Sequence, residues 1–164
     1  MVVFCFLSLT VQAQIVAFGA SNVAGKGVWP AEAWPAQLEQ MLKAKGYNVQ
    51  VKNAGKSGDT TSGMLHRLGS SIPAGTKIVI LDVTGGYHNN LGVTAASRQK
   101  GPADMAEIET RLKERGITVI HESAGGVPLA YRQADKIHLT AAGHKLVAEK
   151  LLPRVISALA GSTG

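Results

Sequence analysis

Three residue types that together perform nucleophilic acyl chemistry stand in two short segments at opposite ends of this chain. The first, I-V-A-F-G-A-S-N (Ile15 to Asn22), is an apolar run that empties into a serine just after a glycine. The second, D-K-I-H-L-T-A-A-G-H (Asp135 to His144), sets an acid three residues before a histidine. A serine hydroxyl is a poor nucleophile at neutral pH; it needs an imidazole to take its proton and an acid to orient that imidazole. Ser21, Asp135 and His138 supply those groups in the order Ser, Asp, His. Neither segment carries the reading alone. A serine after a strand is ordinarily a turn residue, and an acid ahead of a helix is ordinarily a turn acid.

Other chemistries find less support. No His/Asp/Glu spacing matches a zinc site, and His121–Glu122 lacks the second histidine of H-E-x-x-H. The segment G-A-S-N-V-A-G-K-G fits neither G-x-x-x-x-G-K-[ST] nor G-x-G-x-x-G. No metal site is therefore expected from these spacings. The 17 Lys and Arg against 11 Asp and Glu give a net charge of +6, but the cations are scattered and form no basic run. Nucleic acid is not an expected partner; a weak attraction to membrane surfaces or acyl substrates is the milder consequence of that charge.

At 164 residues, with 45% apolar and 17% charged side chains, the chain reads as one globular domain. Residues 1–13 are apolar or hydroxylic and end in V-Q-A, a small-residue cleavage pattern, although a basic leader is missing. The stretch is too short to span a bilayer. It reads as a signal peptide, with a mature domain over 14–164 that is periplasmic or secreted. Cys5, the only cysteine, falls within it, so a chain starting at Gln14 has no thiol.

The elements that must position the reactive groups alternate. Strands are predicted at Ile15–Gly19, Tyr47–Asn53, Lys77–Val83 and Ile117–His121, with a weak fifth over Val127–Tyr131. Helices are predicted at Ala31–Lys45, Thr60–Leu68, Pro102–Arg115 and Ala141–Leu159, the last kinked or broken at Pro153. Asp59 is placed to cap the second helix and Thr140 the last. Trp29 and Trp34 are expected in the core, and His66, His121 and His144 at the surface or at caps. Apolar strands alternating with helices imply an α/β fold with a parallel sheet between two helical layers. Ligands bind such sheets outside the carboxyl ends of the strands. Ser21, the Asn53–Gly58 segment, the Gly85–Gly92 segment and the Asp135/His138 loop would all converge there.

Taken together and in order, these four segments resemble the SGNH (GDSL) hydrolase family. The segment N-A-G-K-S-G-D-T-T-S-G-M-L-H-R-L (Asn53 to Leu68) looks most like its bacterial periplasmic thioesterase, lysophospholipase and arylesterase branch. The resemblance implies a three-layer α/β/α flavodoxin-like fold and a cofactor-free serine ester or thioester hydrolase. Ser21 matches the nucleophile, His138 the general base and Asp135 its orienting acid. The backbone N–H groups of Ser21 and Gly58 match two donors of the oxyanion hole. Two departures stand out. The family's G-D-S-L reads G-A-S-N, with Ala20 in place of the acid, and its G-G-N-D reads G-G-Y-H-N-N-L-G. Tyr87 occupies the slot of the asparagine that donates to the oxyanion. Asn89, reached by a small bulge, is the favoured replacement, with Asn90 and the Tyr87 hydroxyl as alternatives. His88 stands beside them as a residue that could contact substrate. The connection from Gly92 to Asp135 is short, which implies an open pocket and small or short-chain acyl substrates. Two rival readings are a carbohydrate O-deacetylase on the same fold and a non-catalytic binding protein with a degenerate oxyanion site.

Overall fold

The structure, a computed structural model, describes residues 15–161. The expected signal segment and Cys5 lie outside the described residues. Four parallel strands form one sheet: β1 (Ile15–Gly19), β2 (Val51–Gly55), β3 (Ile78–Asp82) and β4 (Thr118–Glu122), in the order β2-β1-β3-β4. Ile15 pairs with Val51 on one side and Ile78 on the other. All five residues of β1 and of β3 are buried, which is why both read as continuous apolar runs.

Alternate residues feed two cores. Ile15, Ala17, Ile78 and Ile80 face helices α2 (Trp34–Ala44) and α6 (Ala141–Gly161), meeting Trp34, Leu38, Leu42, Val147 and Leu151. Val16, Phe18, Val79 and Leu81 face α3 (Thr61–Ser71) and α5 (Ala95–Glu114), meeting Met64, Leu68, Met105, Ile108 and Leu112. The result is the expected α/β/α sandwich. Chain order reverses direction across the sheet between β1 and β3, so the crevice at their carboxyl ends is the switch point where ligands bind in such folds. Two short helices sit there: α1 (Ser21–Ala24) after β1 and α4 (Gly85–Asn90) after β3.

Several expectations are corrected. The fifth strand does not form; two 3₁₀ turns, Ala124–Gly126 and Leu129–Tyr131, occupy that stretch. The helix expected from Ala31 is split into a 3₁₀ turn at Pro30–Glu32 and α2, with Ala33 extended between them as the N-cap of α2 and Pro35 in its first turn. β2 begins at Val51, four residues later than expected. α5 begins two turns before Pro102, where the Thr94 hydroxyl accepts from the Ser97 N–H, and α6 runs unbroken through Pro153. Thr60 rather than Asp59 caps α3, its hydroxyl accepting from the Gly63 N–H. Trp34 is fully buried, whereas Trp29 is 77% exposed. His144 is fully buried, not a surface residue. Its Nδ1 accepts from the Trp34 N–H at 3.3 Å, and burial pulls its pKa down to about 4, so it is neutral.

Candidate active site

Ser21 opens α1 directly after the buried β1, on a tight strand-to-helix turn. Gly55 lets α1 approach β2: a Cβ there would run into the backbone of Val23 and Ala24. Asp82 pins the turn from the neighbouring strand. Its carboxylate, 1% exposed, accepts from the Ala20 N–H at 3.3 Å, the Thr84 N–H and hydroxyl at 2.9 and 3.1 Å, and the Gly85 N–H at 2.9 Å. One buried acid therefore ties the turn that carries Ser21 to the start of α4.

Arg67 braces the same edge. It donates to the Gly19 and Ala54 carbonyls at 2.9 and 2.8 Å and to Asp59 Oδ2 at 2.6 Å, while its guanidinium lies 4.4 Å from the Phe18 ring centre. Asp59 thus serves as an ion-pair partner. The turn before it closes through the Asp59 N–H on the Lys56 carbonyl, and Gly58 takes φ 76°, a left-handed value suited to glycine. The N–H groups of Ser21 and Gly58 meet no acceptor among the described residues.

The loop before α6 is equally constrained. Asp135 Oδ1 accepts from the N–H groups of Ile137 and His138, both at 2.9 Å, folding the segment back on itself. That leaves Oδ2 facing the imidazole, 2.5 Å from His138 Nδ1. His138 Nε2 lies 3.0 Å from Ser21 Oγ, and both residues are 8% exposed. Hydrogen bonds from the imidazole first, then from the two N–H groups, hold the Asp135 carboxyl well below the usual carboxylate range. With Nδ1–H donated to Asp135, the Nε2 lone pair faces the serine hydroxyl. Asn22 joins the two halves: its Oδ1 accepts from the Leu139 N–H at 3.1 Å and its amide donates to the Ile137 carbonyl at 3.4 Å. Arg132 supports the loop from behind, donating to the carbonyls of Val127, Ile137 and Ala124. Asn22, Asp82, Arg67 and Arg132 were missed by the sequence reading. The acid inside an apolar strand was the one detectable signal.

Ser21 opens onto a cavity of about 250 Å³ lined also by Asn22, Thr84, Gly85, His88, Ala124, Gly125, Arg132, Lys136 and Ile137. The third block enters it differently from expectation. Because Gly85–Asn90 is helical, residues three and four apart share a face; Thr84, Gly85 and His88 face Ser21. Asn89, Asn90 and Tyr87 do not line this cavity. The Asn89 amide donates to the Asp59 carbonyl at 2.6 Å. Asn90 is 2% exposed; its amide bonds Thr61 Oγ1 at 2.8 Å, and its oxygen accepts from the Thr61 N–H at 3.1 Å. Tyr87 packs on the core beneath α5, where burial, with the charges of Asp104 and Glu109, raises its phenol pKa. His88 is exposed, and its imidazole has no partner among the described residues. No cluster of three or more His, Cys, Asp or Glu that could hold a metal occurs among the described residues.

Comparison with known proteins gives the family and the fold. The model of the GDSL-like lipase/acylhydrolase family matches residues 17–135, taking in Ser21, Gly58 and α4 and ending at Asp135. The chain belongs to the GDSL-like lipase/acylhydrolase family. Esterase TesA of Pseudomonas aeruginosa (strain PAO1) is 32% identical over 93 residues, which is 57% of this chain and 46% of that protein. The matched stretch thus spans about half the length of this curated relative. Among solved structures, that of TesA superposes with a TM-score of 0.73 at 22% identity, covering 88% of this chain and 98% of that one. AlinE4, described as an SGNH-hydrolase family esterase, gives a TM-score of 0.62 at 25% identity over 90% of this chain and 97% of its own. Ser21, Gly58 and Asp135 fall within the matched residues, and His138 lies three residues beyond them.

Proposed function

We propose that this chain is a serine hydrolase of short-chain acyl esters and thioesters, exported to the periplasm or beyond, with Ser21, His138 and Asp135 as its catalytic triad. The observation that carries the reading is the unbroken hydrogen-bonded series from Ser21 Oγ through His138 to Asp135, at 3.0 and 2.5 Å. His138 Nε2 takes the proton as Ser21 Oγ attacks the acyl carbonyl. The ionised Asp135 stabilises the imidazolium. The same imidazolium then protonates the leaving alkoxide or thiolate, and water, activated by His138 in turn, releases the acid. The unpaired N–H groups of Ser21 and Gly58 serve the tetrahedral oxyanion. The third donor is the His88 imidazole, which has an N–H in either protonation state, because His88 lines the cavity onto which Ser21 opens and Asn89 does not.

The cavity of about 250 Å³ accommodates a short acyl group. Its lining holds no Trp, Tyr or Phe, the platform that a carbohydrate deacetylase would need. The intact Ser–His–Asp geometry speaks against a binding protein that has lost its chemistry. Stopped-flow hydrolysis of p-nitrophenyl acetate tests the reading. The expected result is a burst of p-nitrophenol equal to the enzyme, then a slower steady state, with both phases lost in Ser21→Ala. No release above the Ser21→Ala background overturns it.

A further inference from the structure

The cavity over Ser21 is one-sided in charge. Its lining carries His88, Arg132 and Lys136 and not one Asp or Glu. The nearest carboxylates are engaged elsewhere: Asp135 is bonded to His138, and Asp82 lies buried under the α1 and α4 turns. The two permanent cations differ in kind. Arg132 is a strut whose guanidinium donates to the carbonyls of Val127, Ile137 and Ala124. The Lys136 ammonium has no partner among the described residues and stands at the exposed rim. Its backbone is held at φ 58°, and among the described residues it is the non-glycine residue in the left-handed region. A long side chain there is not what the turn itself favours; asparagine or glycine would fit it better. The turn is closed around it by the Lys136 N–H on the Gln133 carbonyl at 2.9 Å, while Asp135 bonds the next two N–H groups. The lysine is thereby directed by the same turn that presents the catalytic acid and base.

We propose that Lys136 is a specificity-determining residue that selects esters bearing a carboxylate or phosphate a few bonds from the scissile carbonyl. This rests on the ester-hydrolase reading above and goes beyond it. A cleft lined by one sign of charge focuses the field on its contents, and a cavity of about 250 Å³ shared by Ser21 and Lys136 keeps the anion close to the reacting carbonyl. The anion takes no part in bond making. The acyl carbon–oxygen bond still breaks by attack of Ser21 and then water, and the ammonium contributes through binding.

Two matched substrate pairs separate the sources of the anion. On the acyl side, the p-nitrophenyl half-ester of glutaric acid is compared with p-nitrophenyl valerate. On the leaving-group side, 4-acetoxybenzoate is compared with its methyl ester. For each pair the ratio of kcat/KM, charged to uncharged, is measured in the wild type and in Lys136→Asn, a variant that keeps a residue tolerant of left-handed φ. The expected result is a fall of the ratio by about five- to tenfold in Lys136→Asn for at least one pair. The wild-type ratio should fall likewise at high salt. The pair that responds identifies which part of the substrate carries the charge. Ratios unchanged by the substitution in both pairs overturn the proposal. A wild type that hydrolyses none of the four esters overturns the ester-hydrolase reading and this inference with it.

Discussion

His88 and Asn89 are adjacent in sequence and face different surroundings. Asn89 holds the Asp59 carbonyl at 2.6 Å and braces the turn that presents Gly58. His88 lines the cavity with Ser21. An oxyanion donor works mainly in the transition state, so its loss lowers kcat and leaves KM nearly unchanged. His88→Ala should lose about 10²-fold in kcat on p-nitrophenyl acetate at similar KM. Asn89→Ala should lose less. A kcat in His88→Ala within severalfold of the wild type, with a large loss in Asn89→Ala, would return the role to the asparagine. Asp135 offers a second test at this scale. Asp135→Asn keeps an oxygen for the Ile137 and His138 N–H groups but removes the carboxylate that Nδ1–H faces. Turnover should fall by about 10³–10⁴-fold while the melting temperature scarcely moves. Of the proposed site residues, Ser21, Asp135 and His138 were singled out from sequence because four segments in order resemble one family; a serine or an acid in a turn carries no such reading alone. The facing of residues 87–90 could not be read from sequence. In a loop any of them could bulge toward Ser21, whereas in a helix each residue is rotated about 100° from the last and one face is chosen.

At the scale of elements, β3 and β4 each end in a buried acid: Asp82 and Glu122 are Cα partners across the sheet. Asp82 accepts four hydrogen bonds, but Glu122 Oε2 has no partner among the described residues. Burial first, then the charge of Asp82, push the Glu122 pKa from 4.5 up to about 8. The folded chain therefore keeps a proton that the unfolded chain releases near 4.5. Between those values the folded state binds more protons, and stability falls as pH rises. Glu122→Gln keeps the shape and removes the titration. Its melting temperature relative to the wild type should climb between pH 4.5 and about 8, by an amount on the order of a few kcal/mol in stability. A constant difference across that range would show that Glu122 titrates normally. β1 and β3 were found nearly residue for residue because burial on both faces makes a continuous apolar run. β2, at the sheet edge with the sequence V-K-N-A-G, has no such signature and was placed too early. α5 was started too late because Pro102 fits a first turn, while the Thr94 cap that really begins it lies two turns upstream.

For the whole molecule, folding closes a separation of 117 residues to put Ser21 Oγ against His138. The switch point between β1 and β3 brings α1 and α4 to one crevice, and Asn22 fastens the last loop onto it. Export belongs to this scale too. If residues 1–13 are removed, protein recovered from its native host should begin at Gln14 by intact mass. A soluble cytoplasmic protein retaining Met1 would contradict export. The most direct test of the catalytic assignment is covalent. A fluorophosphonate reacts with a serine whose hydroxyl is activated by a neighbouring base, so the wild-type enzyme should gain one adduct, mapped by peptide mass to Ser21. Labelling should be absent in Ser21→Ala and strongly slowed in His138→Ala. An adduct on another serine, or equal labelling of wild type and Ser21→Ala, would contradict the assignment of Ser21 as the nucleophile.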